Sequence, residues 1–371
     1  MSNAHAYVWL SVIILVQVQA AAFISMPRRR ALYQVLCCAL FAAVSVPWVV
    51  QRRGRSSVVT AATGVASFPG RAPRTPRPGR RLQAADLVGE VSATHGPLML
   101  SRLCHDWQIF QFANGYRFNG DDILLAHIAM CATEKLRACS SSPRLLDLGS
   151  GLGSVGLLWL KNQLMHAAAR DPSIVLLEAQ EESVALCRRT LQHCGLQEPT
   201  ARLILGDLRD ANVLMHLGCS FDVVTANPPF LPLDGRKFPD HPQRKFCWYE
   251  LRGGIQHFVQ AATLKLTSEP HGRFCLVHDF ACKHALLAAL AAAKLNVHRE
   301  ITMISRGKPT RIALECASVA AHNKGASGTK FEELVARDLD GSWTPAWNNI
   351  CAELGVFQRE PPMPPMHPKA S

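Results

Sequence analysis

From about residue 143 onward, short apolar runs alternate with segments of helical period. "RLLDLGS" (144–150), "SIVLLEA" (173–179), "ARLILGD" (201–207), "FDVVTANP" (221–228), "GRFCLVHD" (272–279) and "RIALECASVA" (311–320) read as strands. Between them, "SVGLLWLKNQLMHAAA", "EESVALCRRTLQHC", "GGIQHFVQAATLKL" and the Ala-rich "ACKHALLAALAAAKL" carry helical periodicity. Strands that alternate with helices in this way predict an α/β fold, a parallel sheet wrapped by helices on both faces. Ahead of the first strand, "WQIFQFANGYRFNGDDILLAHIAMCA" reads as a hairpin-like apolar segment running into a short helix from Asp121. It is too small for a separate domain, so it is expected to cap the sheet or its ligand.

The segment before residue 86 has a different character. It holds eleven Arg, no Lys and no acidic residue, with two apolar runs flanking "PRRR" and an Arg/Ser/Thr/Pro-rich stretch behind them. This is the composition of a targeting leader, a signal-peptide-like run followed by a transit-peptide-like one, and it resembles the bipartite plastid leaders of algae with complex plastids. Mitochondrial import, or one or two membrane spans that anchor the chain in the secretory pathway, are the alternatives. The net charge of +12 then loses its meaning as a nucleic-acid signal, because the remaining residues carry 29 basic against 28 acidic side chains. The thirteen Cys include no Cys-x-x-Cys pair, so neither a zinc site nor a redox motif is expected and no metal is called for.

Candidate chemistry clusters at the carboxyl ends of the strands, the rim where open α/β sheets bind ligands. "DLGSGLG" sets Gly149, Gly151 and Gly153 at alternate positions between a strand and a helix, which permits a tight turn and close backbone approach. Asp147 precedes the turn, Glu178 ends the second strand where a carboxylate can take both ribose hydroxyls, and Asp207 ends the third where it can accept from an adenine amine. Each acid alone is more simply an N-cap or a solvated strand end. As an ordered set they resemble the class I S-adenosylmethionine-dependent methyltransferases. That resemblance implies a Rossmann-like, mostly parallel seven-stranded sheet, with Asp147 and the glycines facing the methionine moiety, Glu178 the ribose and Asp207 the adenine.

The fourth strand ends in Asn227-Pro228-Pro229-Phe230. A planar amine is a poor nucleophile because its lone pair is delocalised, so it must be held in line with the methyl donor while its N–H groups are engaged. Asn227 offers a side-chain carbonyl, Pro228 a backbone one, the prolines fix φ, and Phe230 offers a face on which a planar group stacks. A plain turn is the ordinary reading of Asn-Pro-Pro in isolation. The motif is shared by N-methyltransferases of adenine, of guanine N2 and of protein glutamine, and a small-molecule amine fits the same chemistry.

The flanks narrow the field. "GYRFNGDDILLAHIA", "FPDHPQRKFCWYELRGGIQHFVQAA" and "DLDGSWTPAWNNICAELGVF" resemble the bacterial tRNA adenine-N6 methyltransferase family acting on a valine tRNA, over roughly Trp107 to Phe357. The resemblance implies S-adenosylmethionine as cofactor, RNA and first of all tRNA as partner, a monomer, and Asp122 and Asn227 among the cofactor-binding residues. It divides the chain into a leader (1–85), an N-terminal cap (86–142), a methyltransferase core (143–320), a C-terminal family segment (321–358) and a disordered tail (359–371). Members often read Ala-Arg-x-Glu where this chain has Cys247-Trp248-Tyr249-Glu250, so an Arg is lost there. For Trp248 and Tyr249 core packing is the ordinary expectation. Arg236, Lys237, Arg244 and Lys245 after the motif, with Arg306, Lys308 and Arg311 in "SRGKPTR", are the cations expected to meet phosphates.

Overall fold

The computed structural model describes residues 96–356, apart from 137–141, 167–170, 219, 234, 236, 268–270 and 320–327. These residues lie within one compact unit, Gly79–Ser371. The leader, the tail and Phe357 lie outside the described residues.

Strands β3 (Arg144–Leu148), β4 (Ser173–Glu178), β5 (Ala201–Leu205), β6 (Val223–Ala226) and β7 (Arg273–Asp279) are parallel, in the spatial order β7-β6-β3-β4-β5. Strand β9 (Lys308–Ser318) runs antiparallel beside β7, and β8 (Leu295–Ser305) runs antiparallel beside β9. Strand β10 (Lys330–Arg337) then adds in parallel to β8. The main sheet thus has eight strands rather than the expected seven, because "KFEELVAR" pairs along the edge that β8 would otherwise leave open. Its alternating apolar positions are weak, with Phe331 70% exposed, which is why its sequence carried little signal.

Both faces of the sheet are buried, and side chains alternate strictly between them. Leu145, Ile174, Leu176, Val223, Cys275 and Val277 enter one core, and Leu146, Val175, Leu177, Val224, Phe274 and Leu276 the other. The first face is covered by α1 (Gly120–Leu136), α2 (Ser154–Met165) and α3 (Glu181–His193), the second by α4 (Ala211–His216), α6 (Ile255–Lys265) and α7 (Lys283–Ala292). Helix α5 (Pro242–Trp248) lies beyond the end of β6.

Two corrections concern the cap. The helix from Asp121 is not short: α1 runs 17 residues, and it is buried nearly all round because it lies on β6, β7 and β9 and also meets α2. The hairpin ahead of it is a separate two-stranded sheet, β1 (Leu98–Cys104) with β2 (Trp107–Phe112), packed on α2 and α3. On the other flank of α1 lies α8 (Pro345–Glu353), whose Trp347 is 1% exposed, stacks on Trp343 and closes on Gly120. Truncating a fully buried Trp costs about 3–5 kcal/mol. Trp347→Ala is therefore expected to lower unfolding stability by that amount in chemical denaturation; an unchanged midpoint would show that α8 does not anchor α1.

Candidate functional site

The strand order reverses between β3 and β6, and there the loops following the two strands separate into a crevice. It holds a cavity of about 330 Å³, within the range of small-molecule and cofactor sites. Its walls include Asp122, Asp147, Gly149, Gly151, Glu178, Asp207 and all four residues from Asn227 to Phe230.

The glycine turn forms one wall. Gly149, Gly151 and Gly153 all have positive φ (65°, 55° and 82°), the left-handed region where a side chain is strained. Gly153 differs from its expected role: it does not line the cavity. It is the N-cap of α2, and a Cβ there would lie 2.8 Å from Cys187 Sγ on α3 and 3.2 Å from Leu176 Cδ1 on β4, so its work is to let the start of α2 approach both. Glu178 bonds back to the turn, its carboxylate accepting from Gly151 N and Gln180 N at 2.7 Å each. Each oxygen keeps a lone pair for a hydroxyl donor. Burial pushes this carboxyl up, and the backbone donors pull against it.

Asp147 stands opposite Thr225 in register, and Thr225 Oγ1 donates to its Oδ1 at 2.8 Å. Its other oxygen is buried without a partner, as are Ser150 Oγ and Gln180 Oε1, all three on residues lining the cavity. Burial raises the Asp147 carboxyl to about 7. Unpartnered acceptors beside a buried carboxylate suit a ligand that brings ammonium and sulfonium charge with hydroxyl and amine donors, and S-adenosylmethionine is such a ligand. Asp207 lines the far end, but its carboxylate is already engaged by Arg209 Nε at 3.0 Å and Nη2 at 2.6 Å, which hold it below the usual range. An adenine amine would share it with Arg209, a neighbour that the strand-end pattern alone did not reveal.

The opposite wall carries the acceptor motif. Asp122 was grouped with the cofactor ligands; its contacts point to Asn227 instead. Asn227 Nδ2 donates to Asp122 Oδ1 at 3.1 Å, while Asp122 Oδ2 accepts from Asn119 N at 3.0 Å and Tyr116 OH at 3.4 Å. Asn119 in turn accepts from Asp121 N through its side chain at 2.8 Å. Asn119-Gly120-Asp121-Asp122 is a reciprocal capping arrangement, a signal present in the sequence and missed there. With the amide nitrogen on Asp122, which as an ionised carboxylate only accepts, the Asn227 carbonyl oxygen is left for the substrate.

Arg311 is corrected from a phosphate contact. Its Nε lies 3.0 Å from both oxygens of Asp121 and its Nη1 3.3 Å from Asp279, and its guanidinium sits 5.0 Å from the Phe230 ring centroid. Two carboxylates neutralise it, so it acts as a pedestal for Phe230, which His278 also contacts at 4.8 Å. Arg306 and Lys308 are exposed at the tip of the β8–β9 hairpin, at the same rim of the sheet as Asp279 and Arg311. Lys237 is exposed, Arg244 and Lys245 are partly buried on α5, and Arg236 lies outside the described residues. Of the two aromatics after Cys247, Tyr249 is core at 5% exposure, whereas Trp248 is 39% exposed and lines the cavity. Tyr116, Arg209, Gln180 and Arg252 complete the site; Tyr116 and Arg252 lie in the flanking segments that carry the resemblance, while Gln180 and Arg209 each follow a strand-end acid by two residues.

Residues 119–237 match the methyltransferase small domain, a span that runs from the α1 cap through the acceptor motif. The chain is accordingly an S-adenosylmethionine-dependent methyltransferase. No curated protein matches it significantly. Among solved structures it is similar to one described as a predicted O-methyltransferase from Agrobacterium tumefaciens, at 16% identity over 64% of this chain and 99% of that one, TM-score 0.44. It is also similar to a ribosomal protein L11 methylase from Lactobacillus delbrueckii subsp. bulgaricus, at 14% over 54% and 80%, TM-score 0.36. A third is an rRNA methylase from Streptococcus thermophilus, at 11% over 55% and 99%, TM-score 0.36. Likenesses of this size carry nothing about substrate.

The raised Asp147 and Asp122 carboxyls give the site a pH signature. Between the ordinary carboxylate range and about 7 the folded chain holds these protons and the unfolded chain does not, so their contribution to ligand-free stability falls as pH rises through that window. A cationic ligand requires the ionised Asp147, so affinity for S-adenosylmethionine is expected to rise with pH up to about 7, by at most roughly tenfold per unit, and to level off above it. Calorimetric titrations of wild type and Asp147→Asn check this; a slope that survives in the variant would place the titrating group elsewhere.

Proposed function

We propose that the chain transfers the methyl group of S-adenosylmethionine to a planar amine, the N6 amine of adenine in tRNA or another structured RNA. The observation that carries the reading is the oriented carboxamide: Asn227 donates its amide protons to buried Asp122 and so presents its carbonyl to an amine donor. The Pro228 carbonyl is the second acceptor, and Phe230, braced by Arg311 and His278, is the face for the base. Adenine among planar amines is favoured by the flanking segments that resemble the tRNA adenine-N6 family. Lys237, Arg244, Lys245, Arg306 and Lys308 are the cations this reading assigns to phosphates, and the acid-free composition of residues 1–85 supports a plastid destination.

In the transfer, S-adenosylmethionine supplies the electrophilic methyl. The chain's own part is positional: the Asn227 and Pro228 carbonyls would hold the two N–H groups so that the nitrogen lone pair faces the methyl; as the N–C bond forms the S–CH3 bond breaks with its electron pair kept on sulfur, and one held proton passes to water. Asp122 acts through Asn227 as a positioning residue.

Asn227→Ala is expected to reduce turnover by at least on the order of 100-fold with cofactor affinity near wild type. Asp122→Ala is expected to reduce it by roughly tenfold or more, since the amide then loses the partner that fixes its orientation. Single-turnover rates beside S-adenosylhomocysteine calorimetry separate the two effects, and an equal loss in both measurements would remove Asn227 from the acceptor role. Nucleoside mass spectrometry of organelle RNA with and without the protein names the base; methyl label appearing in protein and not in RNA would replace adenine by glutamine.

A further inference from the structure

We propose that the C-terminal end of α5 is a stacking platform for an unpaired base beside the target nucleotide, so that the cleft takes single-stranded RNA rather than a duplex. The inference rests on the adenine-in-RNA reading above and adds the form of the substrate and a residue that receives it.

Trp248 is the first observation. Tyr249, the next residue, is core at 5% exposure, whereas Trp248 at the end of the helix is 39% exposed and is among the residues that line the cavity. Phe238, on the preceding loop, is 38% exposed and packs edge-on against Tyr249, with ring centroids 5.0 Å apart. Both rings carry a cation: Arg244 Cζ lies 5.3 Å from the Trp248 centroid, one helical turn away, and Lys245 Nζ lies 4.5 Å from that of Phe238. Exposed aromatic faces interleaved with cations are the composition of a single-stranded nucleic-acid groove, because every base has a π-face and every nucleotide a phosphate.

The second observation is the platform's fixed relation to the acceptor motif. Leu231, the residue after Phe230, donates its N–H to Trp248 O at 2.8 Å and accepts from Glu250 N at 3.0 Å. These two backbone bonds tie Trp248 to the Asn227–Phe230 segment without an intervening flexible linker. A base held at Phe230 therefore has its neighbour's position defined at Trp248, and a base can reach an aromatic face there only if it is unstacked from its own strand. In a duplex both bases would remain paired.

The test uses the full chain with S-adenosylhomocysteine and a short fluorescent single-stranded RNA holding one adenosine among pyrimidines, with the same RNA annealed to its complement as comparison. Wild type is expected to bind the single strand and to bind the duplex at least roughly tenfold more weakly. Trp248→Ala is expected to weaken single-strand binding by roughly 10- to 100-fold, the loss of one stacked base. Trp248→Phe is expected to restore most of it. The salt dependence of binding should be the same in Trp248→Ala as in wild type, because no phosphate contact is removed, whereas Lys245→Ala should lower the slope by about one. Retained S-adenosylhomocysteine binding by Trp248→Ala shows that the variant is folded. Wild-type affinity in Trp248→Ala, equal affinity for duplex and single strand, or failure of wild type to bind the single strand overturns the platform; the adenine reading stands or falls separately, on the nucleoside mass spectrometry above.

Discussion

The carboxylate of Asp122 joins the two halves of this molecule's site. One oxygen accepts from the backbone of Asn119 and completes the first turn of α1, and the other takes the side-chain amide of Asn227 at the end of β6. The residue is 4% exposed, and burial raises its carboxyl to about 7, so the contact is made at an electrostatic cost that its three donors offset only in part. What that cost sustains is registry: the helix that lies across β6, β7 and β9 and the turn that presents the acceptor carbonyls are held by one group. A plain amide or hydroxyl there would hold the helix start but not the direction of the Asn227 carbonyl.

Around this contact the cavity divides by charge. The β3–β4 side has Asp147 and Glu178, buried carboxyls with unpartnered acceptors near them, and a glycine turn whose backbone approaches closely. The β6 side has the acceptor carbonyls and the Phe230 ring, with its charged groups engaged among themselves: Asp122 holds Asn227, and Asp121 and Asp279 hold Arg311. A cationic methyl donor is therefore drawn to one side and a neutral planar amine to the other, and little proton chemistry is asked of the protein. Arg311 shows how the two sides stay separate. Its charge is consumed by Asp121 and Asp279, so the cation nearest Phe230 braces the ring without adding net charge to the cavity.

The edges of the sheet are managed as economically. Strand β10 covers β8, and α8 locks α1 through Trp347, so a C-terminal segment remote in sequence supports the helix that carries Asp122. Beyond the carboxyl end of the sheet, the β8–β9 hairpin tip and α5 both reach the cleft's rim and bring cations from segments about 60 residues apart. The near-neutral balance of the chain after residue 85 is thus compatible with a locally basic rim.

The sequence by itself determined the parallel sheet, its strand ends and the motifs that face one another across the cavity. Buried strands are continuous apolar runs, and the glycine turn, Glu178, Asp207 and Asn-Pro-Pro-Phe each sit where such a run stops. Their roles were less legible, because a strand-end residue's neighbours come from other strands and loops. Gly153 packs against Cys187, Asp207 is held by Arg209, Arg311 is neutralised from α1 and β7, and Asp122 faces Asn227 from 105 residues away. The eighth strand was hidden for a related reason: an edge strand with an exposed face carries little hydrophobic period of its own. Local pattern reports which backbone a segment adopts; which group a side chain meets is decided only when distant strands are brought into register.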